Sequence, residues 1–313
     1  MSGEGRTRRV SALGVYGVLL AAVIAVLAGC GSVVRVAYNN GDIALRVMAN
    51  DYLDLRGEQT DLFKARFARL HEWHRLEELP RYARVLDSAA ARVMRGATRD
   101  DVVWAVAIAR ERYRTFAAQA VDESIPVLMT LTPDNLVALE KKFEASNRKF
   151  IEEYLTGDPT VRQSARIDAI SARFEEWLGG VSDPQQRLIA DYVRTHPADR
   201  ALRLADRKAR QRELVDLLGA QRNPAALRES LRAFFVDYEA QRSVEYARAS
   251  REWQEGVVTL VTRVLEAASP AQRKYAAARL RSYAEDFRAL AGEGREKYPS
   301  GTRAAQEAAH PGT

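Results

Sequence analysis

The chain has 313 residues, with 48 basic and 42 acidic side chains, a net charge of +6, and one cysteine. A single cysteine excludes an intrachain disulfide, and Arg interspersed with Glu and Asp is the pattern of solvated helix faces, not of a basic stripe for nucleic acid. Ala, Arg, Leu and Glu dominate while strand-like alternation of Val, Ile, Thr and Tyr is nearly absent, so the composition predicts an all-α protein.

The N-terminus reads as an export signal. Arg6, Arg8 and Arg9 form a positive leader, Val10 to Ala28 an apolar segment, and Ala28 and Gly29 a small-residue processing site. The apolar run approaches the length of a membrane span, but Gly14 and Gly17 weaken it and no Lys/Arg cluster stops it. Leu27-Ala28-Gly29-Cys30 resembles the lipobox of bacterial lipoproteins. That resemblance implies cleavage between Gly29 and Cys30, lipid on Cys30, and a mature chain starting there. Gly31, where an Asp would imply retention at the inner membrane, favours the outer membrane by the same resemblance. Several acyl chains at about 0.8 kcal/mol per buried CH₂ make such an anchor stable.

Without residues 1–29 the chain keeps 45 basic and 41 acidic residues, or +4, with only seven Lys. Export excludes nucleic acid as a partner. Acidic lipid headgroups and other envelope polyanions stay open.

The punctuation then predicts an elongated bundle of roughly eight to ten helices over residues 30–292, with a disordered tail at 293–313. Gly31 to Ala37 is an apolar leader. Asn39-Asn40-Gly41-Asp42 is a turn, with Asp42 positioned to cap a helix from Ile43 to about Leu53. A helical region runs from Glu58 to Gly96, with Pro80 as the first residue of a new segment, because it lacks the N–H that an interior position needs. Thr98 caps the next helix, which Pro126 ends or kinks. Thr132-Pro133, Asp158-Pro159, Ser182, Asn223-Pro224 and Ser269-Pro270 open further helices. The one from Pro224 is expected to run to about Ala267, and the last to end near Gly292.

Three of these starts share one spacing: Leu131-Thr132 with Asn135, Val181-Ser182 with Gln185, and Ala268-Ser269 with Gln272. Leu55 to Gln59 keeps only the apolar and amide ends. The mechanism is a capping box, in which the hydroxyl accepts from the third helical N–H and the amide reaches back to the cap. The element resembles the Leu-Thr-x-x-Gln signature of small helical periplasmic chaperones and stress regulators.

The chemically richest stretch is His71 to Pro80. On one helix, Phe63, Phe67, Leu70 and His74 form a stripe, and His71, His74 and Glu78 project from one face at spacings of three and four. Two imidazoles and a carboxylate are a possible donor set for a divalent metal. The competing reading is a core His74 bonded to Glu78, with His71 at the edge of the stripe. Neither His-Glu-x-x-His nor any Gly-x-Ser-x-Gly, phosphate loop or Gly-x-Gly-x-x-Gly is present. His196 and His310 fall in a turn and in the tail.

The lipobox-like site, Tyr38-Asn39-Asn40, Leu55 to Gln59, Trp73-His74-Arg75, Glu78-Leu79-Pro80, and Glu175-Glu176-Trp177-Leu178-Gly179 followed by Gln185 together resemble a family of proteobacterial lipoproteins of unknown function. The resemblance extends to about residue 260 and implies no activity, cofactor or catalytic residue. The sequence therefore predicts a protein tied to the outer membrane through Cys30 that binds an envelope protein or exposed apolar peptide and needs no cofactor. A metal-binding protein or enzyme built on His71, His74 and Glu78, and a structural envelope component, are the alternatives.

Overall fold

Wherever Ser, Thr, Asp or Asn precedes a Pro or acidic first turn, the chain starts a helix. The computed structural model describes residues 31–220 and 223–297, and among them only helices, turns and irregular links occur. They are α1 (Gly31–Asn39), α2 (Gly41–Leu53), α3 (Glu58–Trp73), a π-helical turn (His74–Glu78), α4 (Leu79–Met94), α5 (Arg99–Leu128), α6 (Pro133–Tyr154), α7 (Pro159–Leu178), α8 (Asp183–Thr195), α9 (Arg200–Ala220), α10 (Pro224–Phe235), α11 (Val244–Glu266) and α12 (Pro270–Lys297). The π turn joins α3 to α4 without a gap, so the described chain is an all-α bundle of eleven helices. None of them is long and apolar enough to cross a membrane. The signal segment, Gly29, Cys30 and residues 298–313 lie outside the described residues.

Three hydrophobic clusters hold the bundle. Leu79 and Ala83 of α4 pack on Tyr283, Ala284, Phe287, Leu290 and Ala291 of α12, with Val34 of α1 at the edge. The alanines let the two helices approach closely along their length. Leu178, Ile189, Tyr192 and Val193 of α7 and α8 meet Leu260 and Val264 of α11 and Ala276 of α12. Val121 and Ile125 of α5 meet Leu227 and Leu231 of α10. The last helix, α12, thus contributes to two of the three clusters.

Several boundaries differ from the sequence expectation, each for a physical reason. The leader after Cys30 is helical, and Asn40, not Asp42, stands at the start of α2, its amide turned back to the Val36 carbonyl at 2.8 Å. The helix opened by Pro224 stops at Phe235 and restarts at Val244 instead of continuing to Ala267. Its last carbonyls are taken from outside: the Tyr113 hydroxyl donates to Phe235 O at 3.0 Å and Arg210 to Phe234 O at 2.5 Å. Ser243 then caps α11, its Oγ accepting from Tyr246 N at 3.1 Å. Pro126 leaves α5 running two residues further. At the other end α12 passes Gly292 and reaches Lys297, so residues 293–297 belong to the helix and not to a tail. Gly294 is buried there because it lets the Arg75 stem in: a Cβ would sit 2.5 Å from Arg75 Cδ.

The repeated capping spacing turns out to build two joints between distant helix starts. At the first, Asn135 Oδ1 accepts from Thr132 N (2.8 Å) and from Gln59 Nε2 (3.0 Å). Gln59 Nε2 also donates to Thr130 O, and Asn135 Nδ2 to Leu53 O, both at 2.7 Å. At the second, Gln185 Oε1 accepts from Ser182 N and Gln272 Nε2, both at 2.9 Å. Gln185 Nε2 donates to Val264 O at 3.1 Å, and Gln272 Nε2 to Gly180 O at 2.8 Å. Each amide oxygen closes its own cap and each NH₂ reaches across to the other segment. Gln59 does this without a hydroxyl partner, its Oε1 accepting from Arg56 N at 3.2 Å.

Candidate functional site

The stretch from His71 to Pro80 contains the one π-helical turn among the described residues. Pro80 has no N–H, and in a regular helix its ring crowds the carbonyl four residues back, that of Leu76. The turn ahead of it is widened, and Leu79 N bonds His74 O, five residues back. A π turn inserts one residue into the helical register, so the positions beyond it rotate relative to those before.

That rotation separates the three residues expected on one face. Glu78 is fully buried and faces Arg81, at 2.6 Å from Oε1, and Arg112 of α5, at 3.4 Å. It does not accept from His74, as the sequence suggested. His74 instead shares a 2.9 Å hydrogen bond between Nδ1 and the hydroxyl of Tyr38, on α1. The Tyr38 ring stacks on His71 at 4.6 Å, and His71 continues onto Phe67 at 5.7 Å. Edges of Tyr82 and Phe116 close on His74 at 5.4 and 5.6 Å. Phe63 stacks on Phe67 at 6.2 Å, and His71 lies within this aromatic stack and not at its edge.

Arg75 completes the arrangement. Its guanidinium lies 5.1 Å from the Tyr38 ring, bonds Asn39 Oδ1, and reaches Leu290 O (3.5 Å) and Glu293 (3.8 Å) at the end of α12. Asn39 also donates to Glu293 at 3.3 Å. Tyr38, Asn39, His74 and Arg75 thus form a clasp that ties α1 to the π turn and to the C-terminal end of α12.

Electrostatics keep the clasp neutral at its centre. Burial, aided by His71 and Arg75, pushes the His74 imidazole down to about 3. Burial likewise raises the Tyr38 and Tyr82 hydroxyls, and for Tyr82 the Glu78 carboxylate adds to the rise. Both partners of the Tyr38–His74 bond are therefore uncharged at neutral pH. Among the described residues no three His, Cys, Asp or Glu side chains are grouped to hold a metal ion.

Sequence reasoning identified His71, His74, Arg75 and Tyr38 separately but not their contact, since 36 residues part Tyr38 from His74. It missed Arg112 as the partner of Glu78. Trp73 lies beside His74 at 6.4 Å, and Trp177 packs on Tyr283 at 5.8 Å, both in packing roles.

Fold and site together define an all-α helical bundle in which His74 is built into an interhelical clasp, with His71 stacked beside it. The chain belongs to a family of unknown function, DUF6279, whose model matches residues 51–248. The match takes in the π turn, His71, His74 and Glu78, while Tyr38 and α12 lie outside it. No curated protein and no solved structure matches the chain.

Proposed function

We propose that this chain is a lipoprotein, of the proteobacterial kind its lipobox-like site resembles, held at the periplasmic face of the outer membrane through Cys30. There it acts by binding an envelope protein or exposed apolar peptide and not by catalysis. The observation that carries the reading is that the two helices next to Cys30 keep apolar side chains exposed, as some positions on other helices also do. α1 opens at Gly31, directly after Cys30, and on α1 and α2 Val36, Ile43 and Val47 are 62, 49 and 63 % exposed. An acylated Cys30 holds α1 at the headgroup boundary, where such side chains lose less than in open water. The clasp then couples this first helix to the body of the bundle.

The alternative of a metal centre on His71, His74 and Glu78 finds less support, because Glu78 is turned to Arg81 and Arg112. Two open hollows on the surface, one lined by Glu58, Gln59, Leu62, Thr130 and Thr132 and the other by α9 residues, contain no histidine.

Cys30→Ala is expected to yield an exported protein that lacks the acyl mass and leaves the membrane fraction. A variant that fractionates with membranes unchanged places the anchor elsewhere and makes residues 10–28 a true span. For the binding role, the purified chain should suppress aggregation of an unfolded client or retain a specific envelope protein. Failure of both, beside a working periplasmic chaperone, leaves the structural-component reading.

A further inference from the structure

The face that α9 turns to α6 is lined with arginines where a bundle normally places leucines. Arg200, Arg203 and Arg207 follow one another at three- and four-residue spacing, so they share one side of the helix over about 10 Å of axis. Aromatic and neutral polar groups form the opposing wall. The Arg200 guanidinium lies 4.7 Å from the Tyr154 ring and that of Arg203 6.0 Å from Phe150. Arg207 donates to Asn147 Oδ1 at 2.8 Å and to Ser146 Oγ at 2.6 Å. Arg166 of α7 adds a fourth positive charge, 5.4 Å from the Tyr192 ring and donating to His196 O at 2.7 Å.

Among the described residues none of these four arginines has a carboxylate at ion-pair distance. Three other half-buried arginines do: Arg112 meets Glu78, Arg242 meets Asp206 and Arg279 meets Glu176. Glu153 acts on Arg200 only as a longer-range charge. The cost of leaving the cluster uncompensated is visible in the charges themselves. Burial lowers Arg200 and Arg207 from their ordinary value, and Arg203 pushes both further down. Half-buried charges without a counter-charge are unfavourable unless an anion joins them.

We propose that Arg200, Arg203 and Arg207, with Arg166 at one end, form a binding site for an anion of the phosphate class, a phosphomonoester, diphosphate or phosphodiester. The aromatic faces hold the Arg200 and Arg203 guanidinium planes and leave their N–H edges for oxyanions, while Arg207, held by Asn147 and Ser146, and Arg166, held by His196 O, spend part of theirs within the fold; Arg forks match phosphate bidentately. Two forks and a third guanidinium partly used within the fold, over about 10 Å, suit a diphosphate or diester better than one small carboxylate. A lipid headgroup and a soluble phosphate share this chemistry. The site does not depend on Cys30 being acylated.

The test is calorimetric titration of the full chain in non-ionic detergent, with pyrophosphate and with glycerophosphoglycerol, against sodium chloride at matched ionic strength. Arg203→Ala is the informative variant, because Arg203 is exposed and its loss leaves the Arg207 bonds intact. Arg212→Ala, nine residues on and therefore on the opposite side of α9, is the control. The expected result is binding of at least one probe that falls roughly tenfold in Arg203→Ala and is unchanged in Arg212→Ala. Preference for pyrophosphate points to a soluble phosphate, and preference for the diester to a headgroup. Heat no larger than that of chloride, or binding equally weakened by both variants, overturns the site.

Discussion

Gln185→Ala is expected to destabilise the bundle by about 2–5 kcal/mol, because it orphans more than one buried group at roughly 1–3 kcal/mol each. Gln185 is fully buried, and its single amide closes the α8 cap on Ser182 N while donating to the Val264 carbonyl. Its oxygen is also the acceptor for Gln272, whose NH₂ bridges to Gly180 O. Chemical denaturation of Gln185→Ala, Gln272→Ala and the double variant measures the joint directly. The two losses should be non-additive, with a coupling of roughly 0.5–3 kcal/mol, as for residues in one hydrogen-bond network. Gln59→Ala belongs to the other joint and should add to Gln185→Ala within about 0.5 kcal/mol. A loss below about 1 kcal/mol for Gln185→Ala, or plain additivity with Gln272→Ala, would show that the joint is not cooperative.

These joints mark what could be read from the chain. The Ser/Thr–amide spacing announced the starts of α6, α8 and α12, because capping is local. That two starts grip one another was hidden behind separations of 76 and 87 residues. The clue was chemical: a cap uses the amide oxygen and leaves an NH₂ unassigned. Thr98 shows the contrast, since its N3 residue is Asp101, which has no donor to give and is instead bound by Arg92 and Arg95.

Where tertiary contacts set the boundary, local rules failed. No Pro or Gly stands between Ala225 and Ser243 to stop a helix, yet Tyr113 and Arg210 capture the carbonyls of Phe235 and Phe234 and end α10. The π turn likewise undid the inference that His71, His74 and Glu78 share a face, which assumed a constant helical register. The sequence punctuation assigns no helix between Pro197 and Asn223, where α9 lies. Its packed side contains Arg200, Arg207 and Arg210, residues that counting apolar periodicity assigns to solvent. Arginine packs on aromatic rings through its planar guanidinium, as Arg210 does 3.4 Å from Phe234.

His74 should make the fold sensitive to mild acid. Its imidazole is held neutral in the folded chain down to about 3, whereas in the unfolded chain it titrates near its ordinary 6.5. Between those values the unfolded state binds a proton that the folded state does not, so stability falls as pH falls. The slope is about 1.4 kcal/mol per pH unit, or at most about 2 kcal/mol between pH 7.5 and 5. Asp101 and Asp158, held below the usual carboxylate range by hydrogen bonds to backbone N–H groups, withdraw their stabilisation only at lower pH. Asp286, raised by burial, acts in the opposite direction near its own range. Denaturation of wild type and His74→Gln from pH 7.5 to 5 isolates the effect. Glutamine can keep a bond to the Tyr38 hydroxyl but has no proton to gain in this window. The variant should show a pH slope smaller by about one proton. Equal slopes would mean that His74 is accessible to protons in the folded chain and the clasp is open. The same melts with zinc and with chelator, run also on His71→Ala, His74→Ala and Glu78→Ala, oppose the clasp to a metal centre. A bound metal stabilises by mass action, so chelator would lower the wild-type midpoint and all three variants would lose that response. The clasp predicts chelator-insensitive melting. It also predicts a separate loss for Glu78→Ala, because Arg112 and Arg81 then face an empty site of their own.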